Sequence, residues 1–556
     1  MRKSLYLVKA ILLAILAVAF NQSCTNLDEE LYGEVTPDNF FNSEEEIVAA
    51  LGAAYTQFGG YASGNTLNMQ TITTDEMVVP TRGSDWDDGG DWRRLHLHAW
   101  TREDGNMNGG WNFGFGGVNT ANRLIYQFEV LVDDGSLDAT VAAAYIAELR
   151  AVRGFFYWQL IDMYGNVPLV TDFANAEALP PTVPRADVYD WLVADLEEAV
   201  PLLSKDVDGT TYGRMNYWAG KTLLAKLYLN AEVYTGVPEY DKCAAACTDI
   251  IDNGGFSLTG NYFDNFSASN TGTSEMIFAI PYDQVYYGGF NIAVESLHYA
   301  SQYTYNLTAQ PWNGFCSLEE FYDSYEDIDV RKGDAGTTEG PAIKRGNFIV
   351  GYQYNADGSP TEDAGADAND PDGPWVNFAN IGTGQPQINE LGPQAWRQSG
   401  ARIGKWEIEM GGHPDAMNND YAVFRLADVL LMKAESLWRQ SGSATDAAAL
   451  LLVNEVRARA GVDDLTTLDG PVSFDMGGPS IPGGELMNEI GREMAFENFK
   501  RQLLIRWGLF DDVALWALPY NNPGDVLIDG EHTTLFPVHR DKLEANPNLV
   551  QNPGYN

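Results

Sequence analysis

Leu227-Tyr228-Leu229-Asn230-Ala231-Glu232 is answered 203 positions later by Leu430-Leu431-Met432-Lys433-Ala434-Glu435. Each hexamer lies in the first arm of a predicted helical hairpin. Apolar residues recur at three- and four-residue steps over Gly220 to Gly236 and over Val423 to Gln440, and a short Gly- or Ser-containing turn follows each. Second periodic segments then run over Glu239 to Ile251 and Thr445 to Gly461. A small residue at one fixed place, Ala231 or Ala434, lets the second arm pack closely on the first. Ala142 to Gly165 and Pro184 to Leu203 carry the same period; in the former, Tyr145, Leu149, Val152, Phe156, Leu160 and Met163 mark one buried face.

The pattern predicts a mainly α protein: a tetratricopeptide-like helical-repeat scaffold at about residues 139–253 and 420–518, interrupted by long irregular, β-containing loop insertions. Residues 59–117 and 253–419 supply the irregular parts, rich in Gly, Asn, Tyr and Asp. Glu275 to Pro281 and Asn347 to Tyr354 are strand-like, and Asn355 to Pro374 has loop composition.

The chain opens with Arg2, Lys3 and Lys9, an unbroken apolar run from Ala10 to Phe20, then Asn21-Gln22-Ser23-Cys24. Eleven residues of helix reach roughly 16 Å, about half of a ~30 Å hydrocarbon core, so the run is read as a signal-peptide core and not a membrane span. Ser23-Cys24 predicts lipidation at Cys24 after removal of residues 1–23, leaving 24–556 as one domain. The full chain has 34 Lys plus Arg against 78 Asp plus Glu, a net charge of −44. Loss of the leader's three cations deepens this to −47. Such a surface excludes nucleic-acid partners, which need basic clusters, and disfavours direct adhesion to anionic lipid. Cys243, Cys247 and Cys316 remain; the first two, one helical turn apart, are read as small buried residues, not as a disulfide.

In its motifs the chain resembles the SusD/RagB family of outer-membrane nutrient-binding lipoproteins. The resemblance rests on Arg150-Ala-Val-Arg153-Gly-Phe-Phe-Tyr-Trp158 running into Tyr164-Gly-Asn-Val-Pro-Leu169, on Lys221 to Tyr228, and on Arg425 to Glu435. It continues through Val456 to Gly461, Arg492-Glu-Met-Ala-Phe-Glu497, Arg506-Trp507-Gly508, Leu535 to Val538 and Asn546 to Tyr555. It implies a cell-surface lipoprotein of the outer membrane that captures a glycan and delivers it to a SusC-like TonB-dependent β-barrel, with no catalysis and no cofactor. Two other classes stay open on the residues alone: a secreted glycoside hydrolase and a protein-only helical scaffold. A peptide or glycopeptide cargo also stays open.

Sugars pair apolar ring faces with polar rims, so a glycan site combines exposed aromatic rings with polar side chains. Trp86, Trp92, Trp100 and Trp111 fall within 26 residues, in a context rich in Gly and Asp. Trp86, flanked by Asp85, Asp87 and Asp88, is expected to face solvent; Trp92 is its neighbour, and Arg82 and Asp75 would form the polar rim. The family resemblance implies further contacts from the later insertion, which holds Tyr286, Tyr287 and Trp312. The competing reading of these aromatics is loop core, and that of the charged pair is structural ion pairing. The acidic surface favours neutral glycans unless the cluster Arg82, Arg93 and Arg94 overrides the field.

No metal is expected. His96 and His98 would point the same way on a strand but lack a third ligand; in the acidic loop Asp367 and Asn369 are spaced as calcium ligands, but Pro371 takes the next ligand position and breaks the pattern. Enzyme signatures GxSxG, HExxH and GxGxxG are missing, and Ala219-Gly220-Lys221-Thr222 imitates a phosphate loop only within a helical run. Arg150, Arg153, Arg492 and Arg506 are expected to pair inside the scaffold with acids such as Glu493 and Glu497.

Overall fold

The computed structural model describes residues 44–365, 373–379, 384–518 and 525–555. Contacts separate Met1–Ala49 from Ala50–Asn556. The leader, Cys24 and residues 366–372 of the acidic loop lie outside the described residues.

The helices used below are α1 (Glu44–Tyr55), α2 (Asp91–His96), α3 (Gly105–Asp133), α4 (Ala139–Tyr164), α5 (Arg185–Ala199), α6 (Tyr217–Leu229) and α7 (Tyr240–Asn253). They continue with α8 (Ile292–Ser296), α9 (Ser301–Tyr305), α10 (Leu426–Ser441), α11 (Ala447–Ala460), α12 (Gly484–Glu493) and α13 (Lys500–Arg506). The hairpins form where the periodicity predicts them, α6 packing on α7, α10 on α11, and α7 against α10, joining the two repeats directly; the first arm of the earlier hairpin, expected unbroken to Gly236, is interrupted at Asn230, and Ala231–Thr235 is a separate short helix. Asp138, Asn216 and Asp446 start α4, α6 and α11 by accepting hydrogen bonds from otherwise unpaired N–H groups of the first turn. The tetrad Ala219 to Thr222 lies inside α6. Cys243 and Cys247 on α7 are buried thiols, as is Cys316. Among the described residues no helix is long and apolar enough to cross a membrane.

Strands are short: β1 (Val167–Pro168), β2 (Thr182–Val183), β3 (Met276–Ile280), β4 (Ala335–Gly336), β5 (Phe348–Gly351), β6 (Arg402–Ile403) and β7 (Tyr421–Arg425). They form two antiparallel pairs, β1–β2 and β3–β7, and a mixed three-stranded sheet, β4–β5–β6. Residues 423–425 therefore belong to a strand and not to the helix that periodicity assigns them. The apolar side chains of Val423 and Phe424 suit either element, and pairing with β3 decides.

The larger correction concerns residues 59–117, expected to be irregular throughout: from Gly105 the chain is the helix α3. Its glycines face α4. A Cβ on Gly110 would meet Tyr164 Oη at 2.6 Å, one on Gly114 would meet Leu160 Cγ at 2.5 Å, and one on Gly117 would meet Phe156 Cδ2 at 2.1 Å. Glycine here costs helix propensity but lets large side chains of α4 sit against the α3 backbone. Trp111 is thus helix core, edge-on to Tyr164 with ring centroids 5.3 Å apart. Gly117→Ala should overpack this contact and destabilise the protein by about 1–3 kcal/mol, read as a lower urea midpoint.

A buried ionic network ties the helices to the irregular half. Arg425, fully buried at the end of β7, donates to Glu275 (2.8 Å), Glu493 (2.5 Å) and both oxygens of Glu497 (2.9 and 2.8 Å). Arg331 reaches Asp329, Glu489 and Glu493, while Lys405 holds Glu497 at 2.5 Å. Arg457 and Arg459 on α11 add contacts to Glu489 at 2.8 Å and Glu275 at 2.5 Å. Burial opposes the charged form of Glu489, yet the Arg331, Arg492 and Arg457 guanidiniums bring its carboxyl down to about 2. The scaffold arginines do pair internally, but with other acids than expected: Arg150 and Arg153 with Asp195, Arg492 with Glu489, and Arg506 with Glu435.

Candidate functional site

The segment after Glu76 runs alongside the segment after Phe315. Val78 and Cys316 exchange backbone hydrogen bonds of 2.9 and 3.0 Å, and Ser317 Oγ donates to the Glu76 carbonyl. At the end of this ladder Arg82 turns inward and is only 3% exposed. Its guanidinium donates to the Asn313 carbonyl (3.0 Å), to Ser399 Oγ (2.9 Å) and to the Ser399 and Trp396 carbonyls. It therefore pegs three separate loop segments together.

Beyond this peg the chain makes a tight excursion in which Gly83, Trp86, Asp88, Gly89 and Gly90 all take positive φ. That conformation is costly for tryptophan, and surrounding contacts hold it. The Trp86 indole N–H donates to the Trp312 carbonyl at 2.8 Å, and Trp92, on α2, donates to Asp88 at 2.6 Å. Rings then cluster: Trp86 lies 5.5 Å from Trp92, 6.4 Å from Trp312 and 5.8 Å from Phe315. Trp312 is 50% exposed, and Trp86 and Trp92 are half-buried. With their polar edges already hydrogen-bonded, Trp86 and Trp92 can offer only ring surface, while the Trp312 ring is the most open of the three.

The support under Trp312 comes from α8. Trp312 N–H donates to the Val294 carbonyl, and the Gly314 and Phe315 N–H groups share the Glu295 carbonyl. Asn313, at positive φ, accepts from Arg402 through its side chain and donates to the Arg397 carbonyl. Gly314 is where the two loops touch: a Cβ there would stand 2.4 Å from the Trp86 ring. Gly314→Ala should push Trp86 off this seat. The expected result is a several-fold loss of ligand affinity and altered tryptophan fluorescence, with little change in melting temperature.

The polar surroundings are acidic and already paired. Tyr299 donates to Asp85 beside Trp86, and Arg397 lies 4.7 Å over the Tyr299 ring while gripping Asp363 at 2.7 and 2.9 Å. Arg93 is tied to Asp87 and Asp525, and Arg94 to Asp91 and Asp104. With Arg82 buried, the arginine cluster leaves no unneutralised positive patch at the platform.

The structure brings Trp86, Trp92 and Trp312 together and places Arg82 directly beneath them. Asp75 is elsewhere: 1% exposed, it pairs with Lys500 at 3.0 Å and accepts from Ser473. Tyr286, 90% exposed, and Tyr287 form a separate turn capped by Asp283, with Tyr287 hydrogen-bonded to the Tyr55 and Thr56 carbonyls. No ring contact or hydrogen bond among the described residues links that turn to the tryptophans. Phe315, Tyr299 and Arg397 join the site without having been singled out; Asn313-Gly314 beside Trp312 was the available signal, a loop dipeptide suited to close approach.

His96 and His98 are not on a strand. Both are buried against Trp516, with ring centroids at 5.6 and 5.3 Å, and burial pushes their pKa values down to about 4 and about 3. Among the described residues no group of three or more His, Cys, Asp or Glu is placed to hold a metal ion.

Comparison with known proteins agrees with this architecture. Residues 392–555 match the SusD family, and residues 26–229 match a family described as starch-binding and associating with the outer membrane. The chain is 26% identical over 457 residues to the starch-binding protein SusD of Bacteroides thetaiotaomicron, spanning 77% of this chain and 76% of that one. A laminarin-binding SusD-like protein superposes with a TM-score of 0.68 at 20% identity, covering 92% of this chain and all of its own. Surface glycan-binding protein A from Bacteroides thetaiotaomicron, solved with laminarihexaose, gives 0.67 at 20% identity, covering 92% and 99%. At such identities the superpositions establish the fold.

Proposed function

Because the chain is a SusD-like protein, we propose that it is a glycan-binding lipoprotein of the outer membrane, exposed at the cell surface. It captures an oligosaccharide or polysaccharide and hands it to a SusC-like TonB-dependent barrel. One observation carries the reading: loops 226 positions apart converge to set Trp86, Trp92 and Trp312 side by side at the surface. Such rings cover the apolar faces of sugars, and the exposed carboxylates of Asp85, Asp87 and Asp88 beside them meet hydroxyls. The names of the relatives, one starch-binding and two glycan-binding, support the same ligand class. Arg82 and Asp75 serve here as buried supports, and Tyr286 and Tyr287 as a separate contact surface.

The reading assigns binding without bond cleavage. Lipidation at Cys24 supplies the membrane attachment that a strongly acidic surface cannot. Purified protein run in native gels containing starch, laminarin or other polysaccharides should be retarded by at least one neutral glycan, with no release of reducing ends. Release of reducing ends would identify a hydrolase instead. Binding to the barrel with no glycan, oligosaccharide or peptide retained would identify a protein-only scaffold.

A further inference from the structure

A cavity of about 370 Å³ opens between the loop 341–346 and the far side of β5. Tyr305, Tyr352 and Tyr354 line it together with Trp406, Gln353 and Lys344. Tyr352 and Tyr354 are themselves packed on Trp375, at ring distances of 4.6 and 5.5 Å, and all three remain half-exposed. Ile343 stands at the rim, 93% exposed. Trp406 is 3% exposed and its indole N–H has no acceptor within the protein, a buried donor of the kind that normally finds a partner. The charges lining the cavity are balanced, Lys344 and Arg345 against Asp334 and Glu407: Lys344 faces Asp334 at 4.0 Å, and Arg345 donates to the Phe266, Gly404 and Lys405 carbonyls.

This cavity is joined to the tryptophan platform by one short helix. Tyr299, bonded to Asp85 beside Trp86, precedes α9; Thr304 and Tyr305 at its end line the cavity. Five residues of helix span only about 6 Å between first and last Cα. Tyr303 on that helix is 62% exposed and adds an open aromatic ring to the connecting element.

We propose that the cavity is a second saccharide subsite, which takes the distal units of a neutral oligosaccharide whose other end lies on Trp86 and Trp312. The proposal rests on the glycan-binding reading above. Stacking surface, a rim of exposed apolar side chain, an unpaired donor and zero net lining charge are the features that recognise an uncharged, hydroxyl-rich chain. An anionic ligand would instead need cations free of partners.

The test uses calorimetric titration with laminari- and malto-oligosaccharides from three to seven units. Wild type should bind the hexasaccharide at least fivefold tighter than the trisaccharide of the same series. Tyr352→Ala and the rim variant Ile343→Glu should reduce hexasaccharide affinity to the trisaccharide level and leave trisaccharide binding unchanged. Trp312→Ala should weaken both. Ile343→Glu changes a side chain that packs on nothing, so its result does not depend on the stability of the variant. Length-independent affinity in wild type, or unaltered hexasaccharide binding in both cavity variants while Trp312→Ala still weakens binding, would overturn this inference and leave the platform standing. Failure of wild type to bind either series would remove the platform reading for these glycans and this inference with it.

Discussion

Replacing Arg425 by methionine should cost about 3–5 kcal/mol of stability, the range for removing one partner of a buried ion pair. The reason is arithmetic of charge in a dry interior. Arg425 sits between Glu275, Glu493 and Glu497, all three essentially without solvent exposure. Without the guanidinium, Glu493 keeps Arg331 and Arg459, and Glu275 keeps Arg459, but Glu497 is left with Lys405 alone. The measurement is a urea titration followed by far-ultraviolet circular dichroism, and an unchanged midpoint would refute the role given to the network. Acid should act the same way. Glu489 has a folded pKa of about 2 against an ordinary value of 4.5, so its contribution is complete above about pH 4.5 and is lost as the pH falls toward 2. Acid unfolding should therefore steepen below pH 4.5, and Glu489→Gln should flatten it.

Removal of the platform rings is the second large effect. Trp86→Ala and Trp312→Ala should each weaken glycan binding by about 2 kcal/mol or more, as expected for truncating an aromatic anchor. Trp312 should fold normally, since its ring is half in solvent. Trp86 also fixes the Trp312 carbonyl through its indole, so the double variant should lose less than the sum of the singles. Affinity electrophoresis on the glycan that retards wild type most would read both. Unchanged mobility shifts in both single variants would remove these residues from the site.

Helix periodicity made the hairpins legible, because the second arms α7 and α11 bury one face that recurs at three- and four-residue steps, while the first arms α6 and α10 are apolar enough to be buried nearly all round. The same method failed on α3. Its glycines look like loop punctuation along the chain, and only the bulk of Tyr164, Leu160 and Phe156 opposite them explains why they stand in a helix. Local sequence likewise could not tell that Val423 and Phe424 belong to a strand, since β3 lies well over a hundred positions away. For the candidate site, density of tryptophan among Asp and Gly singled out the loop that carries Trp86 and Trp92, and resemblance to a family singled out Trp312. What stayed hidden was depth. Asp75 and Arg82 read as rim residues by composition, but their burial depends on Lys500 and on the Ser399 loop, contacts of very long range. The partners of Glu493 and Glu497 were hidden for the same reason.

The left-handed turn at Trp86 bears on the time course of capture. Its ring is fixed by a hydrogen bond to the Trp312 carbonyl and by contact with Gly314 before any sugar arrives, so the ordering entropy has been spent during folding. A glycan then meets a finished surface. Encounter rates should vary little from one oligosaccharide to another, and selectivity should appear in residence time. On the proposed reading, in which cargo is released onward to a barrel, dissociation is the step on which selection among glycans would fall.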